Sequence, residues 1–238
     1  MRTDVVGTAF DDFTLEEAVQ NCMSIIESGG KGYVATPNPE IVMLAKKSAA
    51  LAAALENAAM VLADGVGITI GAKIIGRPLR ARIPGIDFMS AVFEKMAASG
   101  KSVFLFGAKP GIAEKAGERL AEQYGLLIAG TADGYFTDSE HIINKVNEAA
   151  PDVLVVCLGA PKQELWMVEN LERLNVKVCV GLGGALDVYS GEVKRAPAAF
   201  RKMGLEWFYR LITDPRRIKR MIKLPVFIFL AIGQKIRG

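Results

Sequence analysis

The chain has 238 residues, 51% of them hydrophobic and 23% charged, with a formal net charge of +3; this is ordinary soluble composition, enough for one main core and a small appendage. Its three cysteines, Cys22, Cys157 and Cys179, lack metal-ligand spacing and read as buried small hydrophobes in a reducing compartment. Met1-Arg2-Thr3-Asp4 opens no signal peptide, so a cytoplasmic location is expected.

The elements follow in order. Asp4 to Phe10 reads as an edge strand, and Thr14 with Glu17 three residues on starts a helix to about Ser28, ended by Gly29-Gly30. Tyr33-Val34-Ala35 is a short buried strand. Thr36-Pro37-Asn38-Pro39-Glu40 then leads, with Asn38 as cap and Pro39 as first residue, into one Ala/Leu-rich helix from Ile41 to about Asn57. Val61-Leu62-Ala63 stops at Asp64 and turns through Gly65 and Gly67 into a helix to about Ile75. After a Pro/Gly loop holding Arg82 come a helix from Phe88 to Ala98 and a strand at Ser102–Phe106.

The second half repeats the alternation, with a helix from Gly111 to Tyr124, a strand at 126–129, a helix from Asp138 to Ala149, and strands at 153–158 and 176–180. Uniformly apolar strands separated by helices argue for a parallel sheet covered on both faces. The expected fold is therefore α/β, a Rossmann-like parallel sheet sandwiched by helices over residues 1–195, with a basic helical C-terminal appendage over 196–238. That appendage reads as about three short helices broken by Pro215 and Pro225. Val226–Ile232 is far too short an apolar run to span a bilayer, which needs roughly 20 residues.

The small net charge conceals an asymmetry. Residues 194–238 hold twelve Lys or Arg against Glu206 and Asp214, a balance of +10, whereas residues 1–193 hold 17 basic and 24 acidic side chains, a balance of −7. A basic end on an acidic body points to an anionic partner. Aromatics set among aliphatics with prolines between favour a membrane interface over nucleic acid, and a helical cap packed on the core is the other reading of the same stretch.

Much chemistry is excluded. The single histidine, His141, lies in an ordinary helical pattern, which argues against a histidine triad or metal site. No Asp-x-Asp occurs, and neither Gly65-x-Gly67 nor Gly181-x-Gly183-Gly184 carries the dinucleotide fingerprint. What remains is a set of polar residues at strand ends: Thr36, Asn38, Asp64, Gln163 and Asp187, with Arg82 between them. Each has a local explanation: Thr36 and Asn38 as caps, Asp64 as the cap of the helix near Val66, Arg82 as a surface charge, Gln163 as a first-turn residue, and Asp187 in a turn. Together they would line one crevice suited to a polar sugar phosphate.

T-P-N-P-E at 36–40, A-D-G-V-G at 63–67, R-I-P-G-I-D at 82–87, L-F-G-A-K-P-G at 105–111, G-A-P-K-Q-E at 159–164 and G-G-A-L-D-V-Y-S-G-E-V-K-R-A-P at 183–197, with G-L-E-W-F-Y-R-L at 204–211, resemble in order the WecG/TagA/CpsF glycosyltransferase family, glycosyltransferase family 26. The resemblance implies inverting transfer of a sugar, commonly N-acetylmannosamine or its uronic acid, from a UDP donor to polyprenyl-diphosphate-linked N-acetylglucosamine at the inner membrane face, in wall teichoic acid or related surface-glycan synthesis.

By that resemblance Asp64 is the general base and Arg82 the cation for the departing UDP. Thr36, Asn38 and backbone amides after Pro39 are further donors, Gln163 lies on the sugar, and Asp187 lies on the uracil or ribose. Arg210, Arg217 and Arg220 would bind the acceptor's lipid diphosphate. No cofactor or metal is expected, and a cut near Ala196 is expected to leave a foldable core with little activity. The alternative from another class is a non-catalytic nucleotide-binding α/β module whose basic tail takes an anionic partner.

Overall fold

The computed structural model describes residues 2–213 and 223–237, the side chains of Lys202 and Arg210 apart. The chain opens with a hairpin rather than one edge strand: β1 (Arg2–Val5) pairs antiparallel with β2 (Thr8–Asp11) in a sheet of their own. Val6 and Gly7 between them both have positive φ, 58° and 84°, the backbone of a two-residue hairpin turn. Asp11 ties the hairpin to the main sheet, since its Oδ2 accepts the Val61 N–H at 2.8 Å.

After it run α1 (Leu15–Glu27), β3 (Gly32–Ala35), α2 (Pro39–Ala45), α3 (Ala49–Glu56), β4 (Met60–Val61), α4 (Val66–Ile75) and α5 (Gly85–Ala98). Then come β5 (Ser102–Gly107), α6 (Ile112–Tyr124), β6 (Leu127–Ala132), α7 (Ser139–Ala149), β7 (Val153–Cys157), α8 (Lys162–Asn170), β8 (Val178–Gly181) and α9 (Ala185–Tyr189). The described residues end with α10 (Ala198–Lys202), α11 (Glu206–Thr213) and α12 (Lys223–Arg237). The main sheet is all parallel, in the order β4-β3-β8-β7-β5-β6. Strands β3, β7 and β8 are buried at every residue, which is why their sequences are apolar without alternation. The Rossmann-like sandwich expected from the sequence is the fold observed.

Local signals account for most element ends. Thr14 and Glu17 form a reciprocal capping box on α1, and Asn38 caps α2 with Pro39 in its first turn. The expected helix 41–57 is instead two helices, because Ser48 accepts the Leu51 N–H and starts α3 afresh. α5 begins three residues earlier than expected, at Gly85, with Pro84 in the N-cap position. Pro225 does not break the C-terminal helix; it sits in the first turn of α12, where its missing N–H has no intrahelical partner to lose.

Two apolar cores lie on the two faces of the sheet, one under α1, α5 and α6, the other under α2, α3, α4, α7 and α8. α12 joins the second: Phe227 and Ala231 are fully buried against it. The Gln234 carboxamide accepts the Val6 N–H at 2.7 Å and reaches Asp4, fixing the helix to the opening hairpin. The packing expected of a helical cap is seen in α12, which buries one face on the core and leaves Val226, Phe229 and Ile236 exposed on another.

Candidate active site

Beyond the carboxyl ends of β3, β4, β7 and β8 lies a crevice of about 330 Å³. Sheet ends of this kind gather loops and helix starts around a ligand. Thr36 and Asn38 follow β3, Asp64 follows β4, Gln163 sits in the first turn of α8 after β7, and Arg82 comes from the loop before α5; all five line the crevice.

Asp64 is not the cap of the following helix. α4 starts from Gly65, at φ 98°, with no side-chain cap hydrogen bond. The Asp64 Oδ2 instead accepts the Gly85 N–H at 3.3 Å, at the first residue of α5. Its backbone is clamped on both sides, by Asp64 N to the Pro37 carbonyl at 3.3 Å and by Ile83 N to the Ala63 carbonyl at 2.9 Å. The carboxylate therefore has a fixed direction between two loops. Arg82, half-buried, donates from Nη2 to the carbonyl of Arg201 at 3.0 Å, which leans the start of the basic end over the crevice.

The smaller polar groups differ in what they leave free for a ligand. Thr36 donates its one hydroxyl proton to the Gly181 carbonyl at 2.9 Å, so in this arrangement it offers a ligand lone pairs and not the expected donor. Asn38 Oδ1 accepts the Ile41 N–H at 3.1 Å, which makes Nδ2 the donor side of that amide. The Val42 N–H goes to the Asn38 carbonyl, so neither of these two expected backbone donors is offered to a ligand. Gln163 is 2% exposed, with Oε1 accepting the Gly183 N–H at 2.8 Å and Nε2 donating to Glu164 at 2.8 Å.

The sequence model of the glycosyl transferase WecG/TagA/CpsF family matches residues 3–238. The chain belongs to this family. It is 37% identical over 221 residues to the N-acetylglucosaminyldiphosphoundecaprenol N-acetyl-beta-D-mannosaminyltransferase of Bacillus spizizenii, covering 92% of this chain and 86% of that one. With the protein of the same name from Staphylococcus aureus strain MRSA252 it shares 32% identity over 231 residues, 96% of this chain and 91% of the relative.

In this glycosyltransferase the crevice has members that sequence reasoning did not single out. Arg195 lines it, from the stretch between α9 and α10. Its Nη1 pairs with Asp87 at 2.6 Å and its Nε faces Glu206 at 3.8 Å. Burial works against the charge, but Asp87 and Glu206 outweigh it and raise the pKa of the guanidinium. No local pattern marks Arg195, because Asp87 is more than a hundred positions away in the chain. Trp207, Glu206 and Leu224 also line the crevice, so both α11 and the start of α12 close over it. Lys223 adds a clasp to Glu40 at 3.0 Å.

Asp187 is not among the lining residues. It lies in α9, a helix the sequence did not suggest, with Oδ2 3.5 Å from where a Cβ on Gly184 would stand. Arg210 belongs to α11, but its side chain, like Arg217 and Arg220 entirely, lies outside the described residues.

Proposed function

We propose that this glycosyltransferase moves N-acetylmannosamine from UDP to polyprenyl-diphosphate-linked N-acetylglucosamine by single displacement with inversion, in the linkage unit of wall teichoic acid or a related surface glycan. One observation carries the reading: a fixed carboxylate, a guanidinium and two carboxamides from separate strand ends face one crevice, in a chain matched nearly end to end by two enzymes named for that transfer. Asp64 takes the proton of the acceptor hydroxyl as the hydroxyl oxygen attacks the anomeric carbon from the face opposite UDP. A base so placed is worth about 10²–10⁴ in rate. The bond to UDP breaks with its electrons on the diphosphate, where Arg82 and the Asn38 Nδ2 meet the growing charge. Gln163 contacts the donor sugar, Thr36 accepts from it, and Asp187 orients the nucleoside end of the site from behind Gly184. Arg210, Arg217 and Arg220 meet the acceptor diphosphate.

The same reading has the reaction proceed without a metal or other cofactor. What supports it is the fixed guanidinium charge of Arg82 and Arg195 at the crevice, able to meet the charge on the diphosphate. The test is UDP release from a panel of UDP-sugars with a short-chain lipid-diphosphate N-acetylglucosamine acceptor in EDTA. Acceptor-dependent release with UDP-N-acetylmannosamine supports the proposal; release that needs added divalent ion, or another sugar, sinks the corresponding part.

Among the described residues no helix is long and apolar enough to cross a membrane. The enzyme is proposed to work as a peripheral protein on the cytoplasmic face, through the exposed side of α12, where Phe229 is 72% and Ile236 is 79% exposed within the +10 segment. An apolar edge within a basic stretch suits the interface of an anionic bilayer. Phe229→Glu, which disturbs no buried contact, is expected to weaken binding to anionic vesicles about tenfold or more, the order of one aromatic side chain's transfer free energy. Co-sedimentation reads it, and vesicle binding equal to the parent's rules this face out.

A further inference from the structure

Glu164, next to Gln163 on α8, is 1% exposed, and its Oε2 has no hydrogen-bond partner. Burial raises its pKa, with the Gln163 bond opposing in part. A carboxylate buried with one oxygen unmatched is a burden on stability, so stability does not account for it. Its other oxygen does something specific. The two ends of a carboxamide are alike in shape and differ only in which can donate. The Gly183 N–H can only donate and takes Gln163 Oε1; Glu164 accepts through Oε1 and takes Nε2. Between them they permit one of the two flip states. The amide also packs closely on β8, because a Cβ at Gly181 would come within 3.0 Å of Gln163 Nε2 and 2.9 Å of Met167 Cε.

We infer that Glu164 is a positioning residue that locks the Gln163 carboxamide, so that the donor sugar meets one N–H and one lone pair in fixed places. The inference rests on the assignment of Gln163 to the donor sugar. Without Glu164 the Nε2 end has no partner, the amide samples other rotamers, and recognition of the sugar blurs while the UDP contacts remain.

The test is steady-state kinetics on the full chain, with UDP-N-acetylmannosamine and the lipid acceptor, beside calorimetry with UDP alone. Glu164→Leu is expected to raise the donor KM about tenfold, kcat moving less than about threefold and UDP affinity unchanged, the scale of one lost hydrogen bond in binding. Glu164→Gln can set its carbonyl oxygen at the Oε1 position and should restore a donor KM within about twofold of the parent's. A merely structural carboxylate predicts the opposite for Glu164→Leu: parental KM, with thermal stability equal or higher. That result overturns the inference. Gln163→Ala separates the layers: if it leaves the donor KM unchanged, the placing of Gln163 on the sugar fails and the inference with it. If it raises KM while Glu164→Leu does not, the inference alone fails.

A measurement on the unaltered protein guards against a variant that does not fold. The chain has four glutamines, so ¹⁵N-glutamine labelling gives few side-chain amide signals, and Gln163→Ala assigns one. One Gln163 amide proton should exchange about tenfold or more slower than its twin, being held by Glu164. Equal, fast exchange of both overturns the lock.

Discussion

Asp64→Asn is expected to lower acceptor-dependent UDP release about 10²–10⁴-fold and to leave the affinity for UDP near the parent's. Asparagine keeps the size of the side chain and an oxygen that can still accept the Gly85 N–H, so the loop between β4 and α4 and the start of α5 should stay as they are. What it loses is the ability to take a proton. A kcat effect with UDP binding intact is therefore the signature of a base, whereas a binding contact would appear in KM.

The same experiment decides between Asp64 as base and Asp64 as architecture. The carboxylate is not the cap of α4, but it does hold the first N–H of α5. Asp64→Ala removes both functions and Asp64→Asn only one. If the two variants lose activity equally and both keep the parent's melting temperature, proton transfer is the function that matters. If Asp64→Asn is as active as the parent, Asp64 serves only to seat α5, and the acceptor must be deprotonated from elsewhere.

Much of this site was legible because its chemistry is written at strand ends. Apolar runs that stop at Ala35, Ala63 and Leu158 place Thr36, Asp64 and Gln163 at one edge of a parallel sheet. The physical reason is that a strand buried on both faces can carry polar side chains only where it leaves the sheet. Elements differ from expectation where the local signal is short. Ser48 looks like any helix-surface serine until its hydroxyl is seen to start α3, and Val6-Gly7 reads as part of a strand because a valine in a tight turn is uncommon. Arg195 and Glu164 were out of reach for a different reason. The pairing of Arg195 with Asp87 and the grip of Gly183 on the amide next to Glu164 are contacts between distant parts of the chain, and periodicity carries no information about them. Asp187 shows the converse, a polar residue at the right strand end that a short helix carries out of the lining.

Ending the chain at Ala196 is expected to abolish activity and to lower the unfolding midpoint as well, which departs from the self-sufficient body suggested by the sequence. The reason is α12. Phe227 and Ala231 are fully buried in the same core as α2 and α4, and a side chain on Gly67 would stand 2.5 Å from Leu224 and 2.6 Å from Pro39. The helix is thus seated between the crevice wall and the opening hairpin. Truncating one buried phenylalanine to alanine costs about 3–5 kcal/mol, a large part of the roughly 5–15 kcal/mol by which domains of this kind are stable. Removing the whole helix exposes more than that. Phe227→Ala in the full chain isolates the packing contribution: it should shift the urea midpoint strongly while Asp64, Arg82 and Gln163 keep their surroundings and the folded fraction keeps its kcat. A truncated chain with the parent's midpoint would show that α12 only rests on the body. A Phe227→Ala variant that unfolds no earlier but loses turnover would assign the helix to the acceptor side of the reaction instead.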